Sequence, residues 1–145
     1  MNADKVLLII ALDIGVLAVI LVLVVLWMRR LIAGLGQSIG ESGEAIVIGP
    51  QKGMYLKQAG IASLKTCGAI ALTDQRLVFR KPIGGDISLP ISEIEYISRK
   101  RWYKGNYHGG RDFLILEMTD GSEVAFMVKD PDLWTQKMLD WEEPK

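Results

Sequence analysis

Residues 99–111 read Arg99-Lys100-Arg101-Trp102-Tyr103-Lys104-Gly105-Asn106-Tyr107-His108-Gly109-Gly110-Arg111. They hold five Lys or Arg, three aromatic residues and no acid. The chemistry this composition offers is anion binding. A cation close to an anionic leaflet gains about 1 kcal/mol, and Trp and Tyr favour the headgroup region of a bilayer. The three glycines mark a loop. The segment therefore predicts a membrane-contact loop between two strands. Its expected lipid contacts are Arg99, Lys100, Arg101, Trp102, Tyr103, Lys104 and Arg111. The competing reading is a solvated hairpin with Trp102 packed on a sheet edge. Stacking and phosphate contacts would also suit RNA. A formal net charge of zero argues against bulk nucleic-acid binding.

Asp13 is the second residue with chemistry to explain. It is the single charge within an apolar run at 6–28, VLLIIALDIGVLAVILVLVVLWM. Ionised in lipid it would cost a few kcal/mol, so it should pair, protonate or face a partner. Ala11, Gly15 and Ala18 form a small-residue stripe at close-packing spacing. At 100° per residue, Asp13 points nearly opposite that stripe. These four residues are the expected contacts with a second membrane protein, should one exist. Tolerance of one acid by snorkelling is the simpler alternative.

Other chemistry is removed by counting. Cys67 is the single cysteine and His108 the single histidine. A Cys/His zinc site, a serine-histidine triad and an intrachain disulfide all lack their parts. One unpaired cysteine agrees with a reducing cytoplasm. Asp74 and Arg76 are explained by turn chemistry, and Glu93 and Glu95 by a solvated strand face. No phosphate loop, metal-ligand spacing or nucleophile motif occurs. The expectation is a protein without catalysis, metal or cofactor.

The elements that position these residues follow from hydropathy. A 23-residue helix at 6–28 would be about 34 Å long, against a hydrocarbon core of about 30 Å. It contains no proline, so its backbone hydrogen bonds can all close internally. A cleaved signal peptide fits poorly: the leader at 1–5 is nearly neutral, and no Ala-x-Ala site follows the run. Arg29 and Arg30 set against that leader favour an outward N-terminus and a cytoplasmic remainder at the cell membrane, with Trp27 as an interfacial anchor. Residues 29–43 have four glycines and are expected to be a juxtamembrane linker. The alternative is a continued helix with Leu31, Ile32, Leu35 and Ile39 as an interfacial strip. Gly34, Gly36 and Gly40 weaken that, at about 1 kcal/mol each.

From residue 44 the pattern is one of short strands: 45–48, stopped by Gly49-Pro50, then 54–58, 68–72, 77–80, 87–89, 113–118 and 123–128. Ile91, Ile94 and Ile97 are expected in an extended segment. Thr73 and Asp74 suit a tight reversal. Asp120-Gly121 is a hairpin signal, because both turn positions tolerate positive φ. Asp130-Pro131 reads as the cap and first residue of a helix with Leu133, Trp134, Met138 and Trp141 on one stripe. Residues 44–112 carry 11 Lys+Arg against 6 Asp+Glu, and 113–145 carry 3 against 8. That asymmetry would orient a domain over an anionic surface.

The string Gly68-Ala69-Ile70-Ala71-Leu72-Thr73-Asp74-Gln75-Arg76-Leu77-Val78-Phe79 resembles the GRAM-type signature of the pleckstrin-homology superfold. Leu89-Pro90-Ile91-Ser92-Glu93-Ile94 resembles the family's following segment. The resemblance covers residues 44–142. It implies a mainly β fold: a bent barrel of about seven antiparallel strands, capped by a C-terminal helix and here preceded by one transmembrane helix. It also implies a lipid- or protein-binding module without catalysis. One departure is the long stretch at 49–66, which leaves the first hairpin's pairing open. The expected organisation is leader 1–5, span 6–28, linker 29–43, domain 44–142 and tail 143–145. The expected partners are anionic membrane lipids or a membrane protein, and no nucleic acid. The alternative function is an accessory subunit of a membrane complex, recognised through its anchor.

Overall fold

The structure is a computed structural model that describes residues 2–59, 62–107 and 109–141. His108, residues 60–61 and the tail at 143–145 lie outside the described residues. The chain forms two compact units, residues 1–30 and 31–145.

The first unit is helical throughout its described length from Ala3. It belongs to α1 (Ala3–Ser42), the one helix among the described residues long and apolar enough to cross a membrane, with a mean hydropathy of 3.2 in its most apolar window. No side chain in that window is buried within the protein. Such a surface is stable only where lipid or another apolar body covers it.

The second unit opens with a correction to the expected linker. The helix does not stop near Met28 but continues to Ser42, and Gly43, at φ +76°, ends it. Leu35 and Ile39 are buried on Ala69, Ala71 and Val78, with Leu31 and Ile32 partly buried beside them. Burying two aliphatic side chains contributes about 3–6 kcal/mol, which offsets about 3 kcal/mol for three helix glycines. Two of those glycines also make the contact possible. A Cβ on Gly36 would come within 3.1 Å of Pro50 Cγ, and one on Gly34 within 3.3 Å of Arg80 Nη1. The strip faces the protein's own sheet.

That sheet has seven antiparallel strands. In chain order they are β1 (Ile46–Ala59), β2 (Ala62–Thr73), β3 (Arg76–Arg80), β4 (Ile87–Pro90), β5 (Ile94–Lys100), β8 (Phe113–Met118) and β9 (Glu123–Met127). A two-stranded ribbon, β6 (Trp102–Tyr103) and β7 (Asn106–Tyr107), stands between β5 and β8. The order across the sheet is β4-β3-β2-β1-β9-β8-β5, so β4 and β5 are its edges. Gly49-Pro50 does not stop the first strand as expected. β1 runs through it with a bulge: the register to β2 slips between Ile48 and Gln51. Gly49, at φ +85°, absorbs the bulge, and a Cβ there would lie 2.8 Å from the Ile70 carbonyl oxygen. Residues Ile91–Glu93 are a 3-10 turn and not extended, so Glu93 shares no strand face with Glu95.

The turns follow sequence chemistry closely. The β2–β3 reversal is held by the Thr73 hydroxyl, which accepts from the Gln75 and Arg76 amides at 3.2 and 3.0 Å. In the β8–β9 turn only Gly121 has positive φ, at +81°. Asp120 instead accepts from the Ser122 amide at 2.8 Å. The Ser122 hydroxyl, and then that amide bond, hold its carboxyl below the usual carboxylate range.

One core cluster draws on all seven strands. Tyr55, Phe79 and Phe126 form a triangle with ring centroids 5.5–5.8 Å apart. Helix α2 (Pro131–Leu139) closes it with buried Trp134 and Met138, and Trp141 packs on the edge of the cluster. Asp130 caps α2, accepting from the Leu133 amide at 3.1 Å. Leu133, expected on the buried stripe, is exposed. The outer sheet face carries two smaller clusters. One lies under the end of α1, and the other packs Tyr103 of the ribbon on Leu56, Phe113, Ile115, Ala125 and Met127.

Candidate functional site

The basic-aromatic segment is a folded ribbon between two strands. Lys104 at φ +46° and Gly105 at φ +79° form its two-residue turn. Both central residues lie in the left-handed region, the geometry whose twist matches that of paired strands. Trp102 and Tyr107 face each other across the ribbon, stacked at 4.8 Å. Trp102 is 63% exposed. Its partner is Tyr107 of the same ribbon.

The seven expected contact residues separate into groups. Tyr103 is buried and points into the outer-face cluster, away from any ligand surface. Its hydroxyl donates to Glu123 Oε2 at 3.4 Å, and burial pushes its phenol up from the usual value. Arg99 pairs with Asp132 of α2. Arg101 Nε lies 3.8 Å from Asp112, and Lys104 Nζ 3.6 Å from Glu123. Lys100 and Arg111 have no ion-pair partner among the described residues. The sequence shows no acid inside the segment, yet the fold brings three to it. Glu123 comes from β9 and Asp132 from α2, and the third, Asp112, immediately follows the segment. Arg99 and Arg101 keep 40% and 65% of their side-chain surface exposed. Exposed pairs of this kind contribute about 0–1 kcal/mol, so an external anion can compete for them.

In the first unit, a shallow groove along the helix is lined by Leu8, Ala11, Leu12, Gly15, Val16 and Val19. It joins Ala11 and Gly15 of the small-residue stripe. Ala18 and Asp13 do not line it.

Sequence reasoning missed two other groups. Glu44 pairs with Arg76, and the guanidinium beside it is the first cause of its lowered carboxyl pKa. Lys52 and Lys129 join Arg111 around a cavity on the outer sheet face. They lie far apart in the chain, and only the pairing of β1 with β9 brings them together. Among the described residues, no group of three His, Cys, Asp or Glu could hold a metal ion.

No protein-family model matches the sequence, and comparison with curated proteins finds no match. Solved structures do match. One is the C-terminal domain of an unknown protein from Leishmania infantum, 12% identical, with a TM-score of 0.56 over 77% of this chain and 97% of that one. At that identity the likeness shows the fold: a mainly antiparallel sheet with a short C-terminal helix.

Proposed function

We propose that this protein is a membrane-anchored, non-catalytic binding module of the pleckstrin-homology-like kind. Its folded unit faces the cytoplasm and contacts anionic lipid headgroups. The observation that carries the reading is the exposed Trp102–Tyr107 stack flanked by solvent-facing Arg101, Lys104 and Arg111. An exposed aromatic pair on a cationic ribbon matches the two demands of a headgroup layer. The strand order β4-β3-β2-β1-β9-β8-β5 with a helix after the last strand supports the fold assignment. It is the order of two meanders joined through the first and last strands. The apolar helix supplies the tether, and Arg29-Arg30 supports the inward orientation.

The test is binding of residues 31–145 to vesicles. Binding should be stronger to phosphatidylserine than to phosphatidylcholine vesicles. It should weaken with salt, since exposed charges are screened over about 8–10 Å near physiological ionic strength. Replacing Arg99, Lys100 and Arg101 by Ala should remove most of it. Equal binding to neutral vesicles, or an unaffected triple variant, refutes the ribbon as the contact.

The groove at Gly15 favours a second reading, an accessory subunit docked through its anchor. A gap at a small residue is where another helix can approach closely.

A further inference from the structure

We propose that the outer face of the sheet carries a second, separate site: a pocket for a phosphate monoester borne on a short apolar body. Its frame follows from strand register. Cys67 of β2, Met54 of β1 and Met127 of β9 are cross-strand partners, so they form one row across three strands. Such a row is about 9–10 Å wide. Directly paired residues share a face, and Met127 belongs to the outer-face cluster, so the row lies outside. Lys52 stands two residues before Met54 and Lys129 two residues after Met127. Both positions fall on the same face, about 7 Å further along the strands. Arg111, two residues before the outer-facing Phe113, closes the third side.

The result is a cavity of about 350 Å³ with an apolar floor and three cations at its rim. That volume is at the small end of ligand sites. No acid lines it. Lys52, Arg111 and Lys129 have no ion-pair partner among the described residues, whereas Arg99, Arg101 and Lys104 each have one. Three unneutralised cations therefore converge here, whereas the charged residue at the ribbon turn, Lys104, is paired. Three positive charges without a counter-ion match a dianion better than a carboxylate. Two thioethers and a thiol form a soft, adaptable floor, suited to an alkyl or acyl stub. The end of α1 and the ribbon cover the outer face elsewhere, and this strip between their clusters is left open. The site shares Arg111 with the proposed headgroup contact and does not otherwise depend on it.

The chain supplies its own reporter. Cys67, its single cysteine, is exposed on the floor of the pocket. The full chain, held in phosphatidylcholine discs, is alkylated with N-ethylmaleimide in the presence of hexyl phosphate, hexanol or inorganic phosphate. Hexyl phosphate should slow alkylation. Hexanol at the same concentration should not, and inorganic phosphate should protect only at higher concentration. Lys52→Gln with Lys129→Gln should require about tenfold more hexyl phosphate, while Lys52→Arg with Lys129→Arg should protect as the parent does. Arg99, Lys100 and Arg101 changed to Ala should leave protection unchanged, which separates this site from the ribbon. Phosphatidate placed in the discs distinguishes the two sources of the group. Protection without added ligand assigns a lipid, and protection by hexyl phosphate alone assigns a soluble ester. Failure of hexyl phosphate to protect, equal protection by hexanol, or an undiminished Gln variant overturns the proposal.

Discussion

Arg76 Nη2 lies 2.8 Å from Glu44 Oε1, and Arg76 Nε donates to both oxygens of the same carboxylate at 2.9 and 3.1 Å. Glu44 follows the first helix, and Arg76 opens β3. The pair thus ties the start of the sheet to the β2–β3 turn. Thr73 adds its hydroxyl to Glu44 Oε2 at 2.7 Å, and Asp74 accepts from the Ala45 amide at 3.1 Å. Side chains that a linear reading assigns to one local turn also close a contact between distant segments.

Glu44→Gln should cost about 1–2 kcal/mol at neutral pH, since hydrogen bonds to charged groups exceed neutral ones but Arg76 is partly solvated. The pair holds the Glu44 carboxyl below its ordinary value of 4.5. Its contribution is therefore fully present above that value and fades as the pH falls through the lowered folded-state pKa. Denaturant midpoints of parent and variant should differ at pH 7 and converge in acid. A difference that persists at low pH would show that the carboxylate's charge is not the cause.

Residues 31–145 should fold as a more stable unit than residues 44–145. Removing 31–43 strips Leu35 and Ile39 from Ala69, Ala71 and Val78, a loss of about 3–6 kcal/mol of apolar burial. Thermal melts of the two fragments make the comparison. Coincident curves would mean that the helix end adds nothing to the sheet.

Two glycine-to-alanine changes should act in opposite directions. At Gly68 a Cβ would collide with the Arg80 carbonyl oxygen and lie 2.8 Å from Phe79 Cζ. Gly68→Ala should therefore destabilise by several kcal/mol, as overpacked cores do. At Gly40 nothing stands within 4 Å, and Gly40→Ala should stabilise by about 0.5–1 kcal/mol through helix propensity. Urea midpoints moving in the same direction would contradict these contacts.

Asp13→Leu and Gly15→Leu separate a specific anchor from a mere tether. If a membrane partner recognises the helix, at least one substitution should abolish its co-purification at unchanged expression. Two silent substitutions would leave only the tether role.

How much of this was legible in the sequence depends on the range of the interaction. Strands at 76–80, 113–118 and 123–127 and the cap at Asp130 are written in local alternation and turn residues, and they stand close to where the sequence puts them. The helix end at 31–42 was legible only as the alternative to a linker, and its cover by the sheet was not. Glycine content argues against a helix there, and only the sheet beneath it turns small size into an advantage. Gly49-Pro50 misled for a similar reason, because a bulge needs its partner strand to be recognised. In the ribbon, the aromatics and cations were visible. The burial of Tyr103 and the acids opposite Arg99, Arg101 and Lys104 were not, since those partners come from β9, α2 and the entry to β8.

The two edges of the sheet carry a consequence for crowding. Under the proposed tethering, copies would be concentrated in two dimensions, where an open strand edge would meet its own kind continually. Such an edge is a template for runaway pairing between copies. Here β4 is four residues long and ends at Pro90, which has no amide hydrogen to donate. At the other side β5 displays Glu95, Arg99 and Lys100. A neighbour docking parallel and in register would bring like charges together. One edge is blunted by geometry, and at the other charge opposes a parallel, in-register stack of copies.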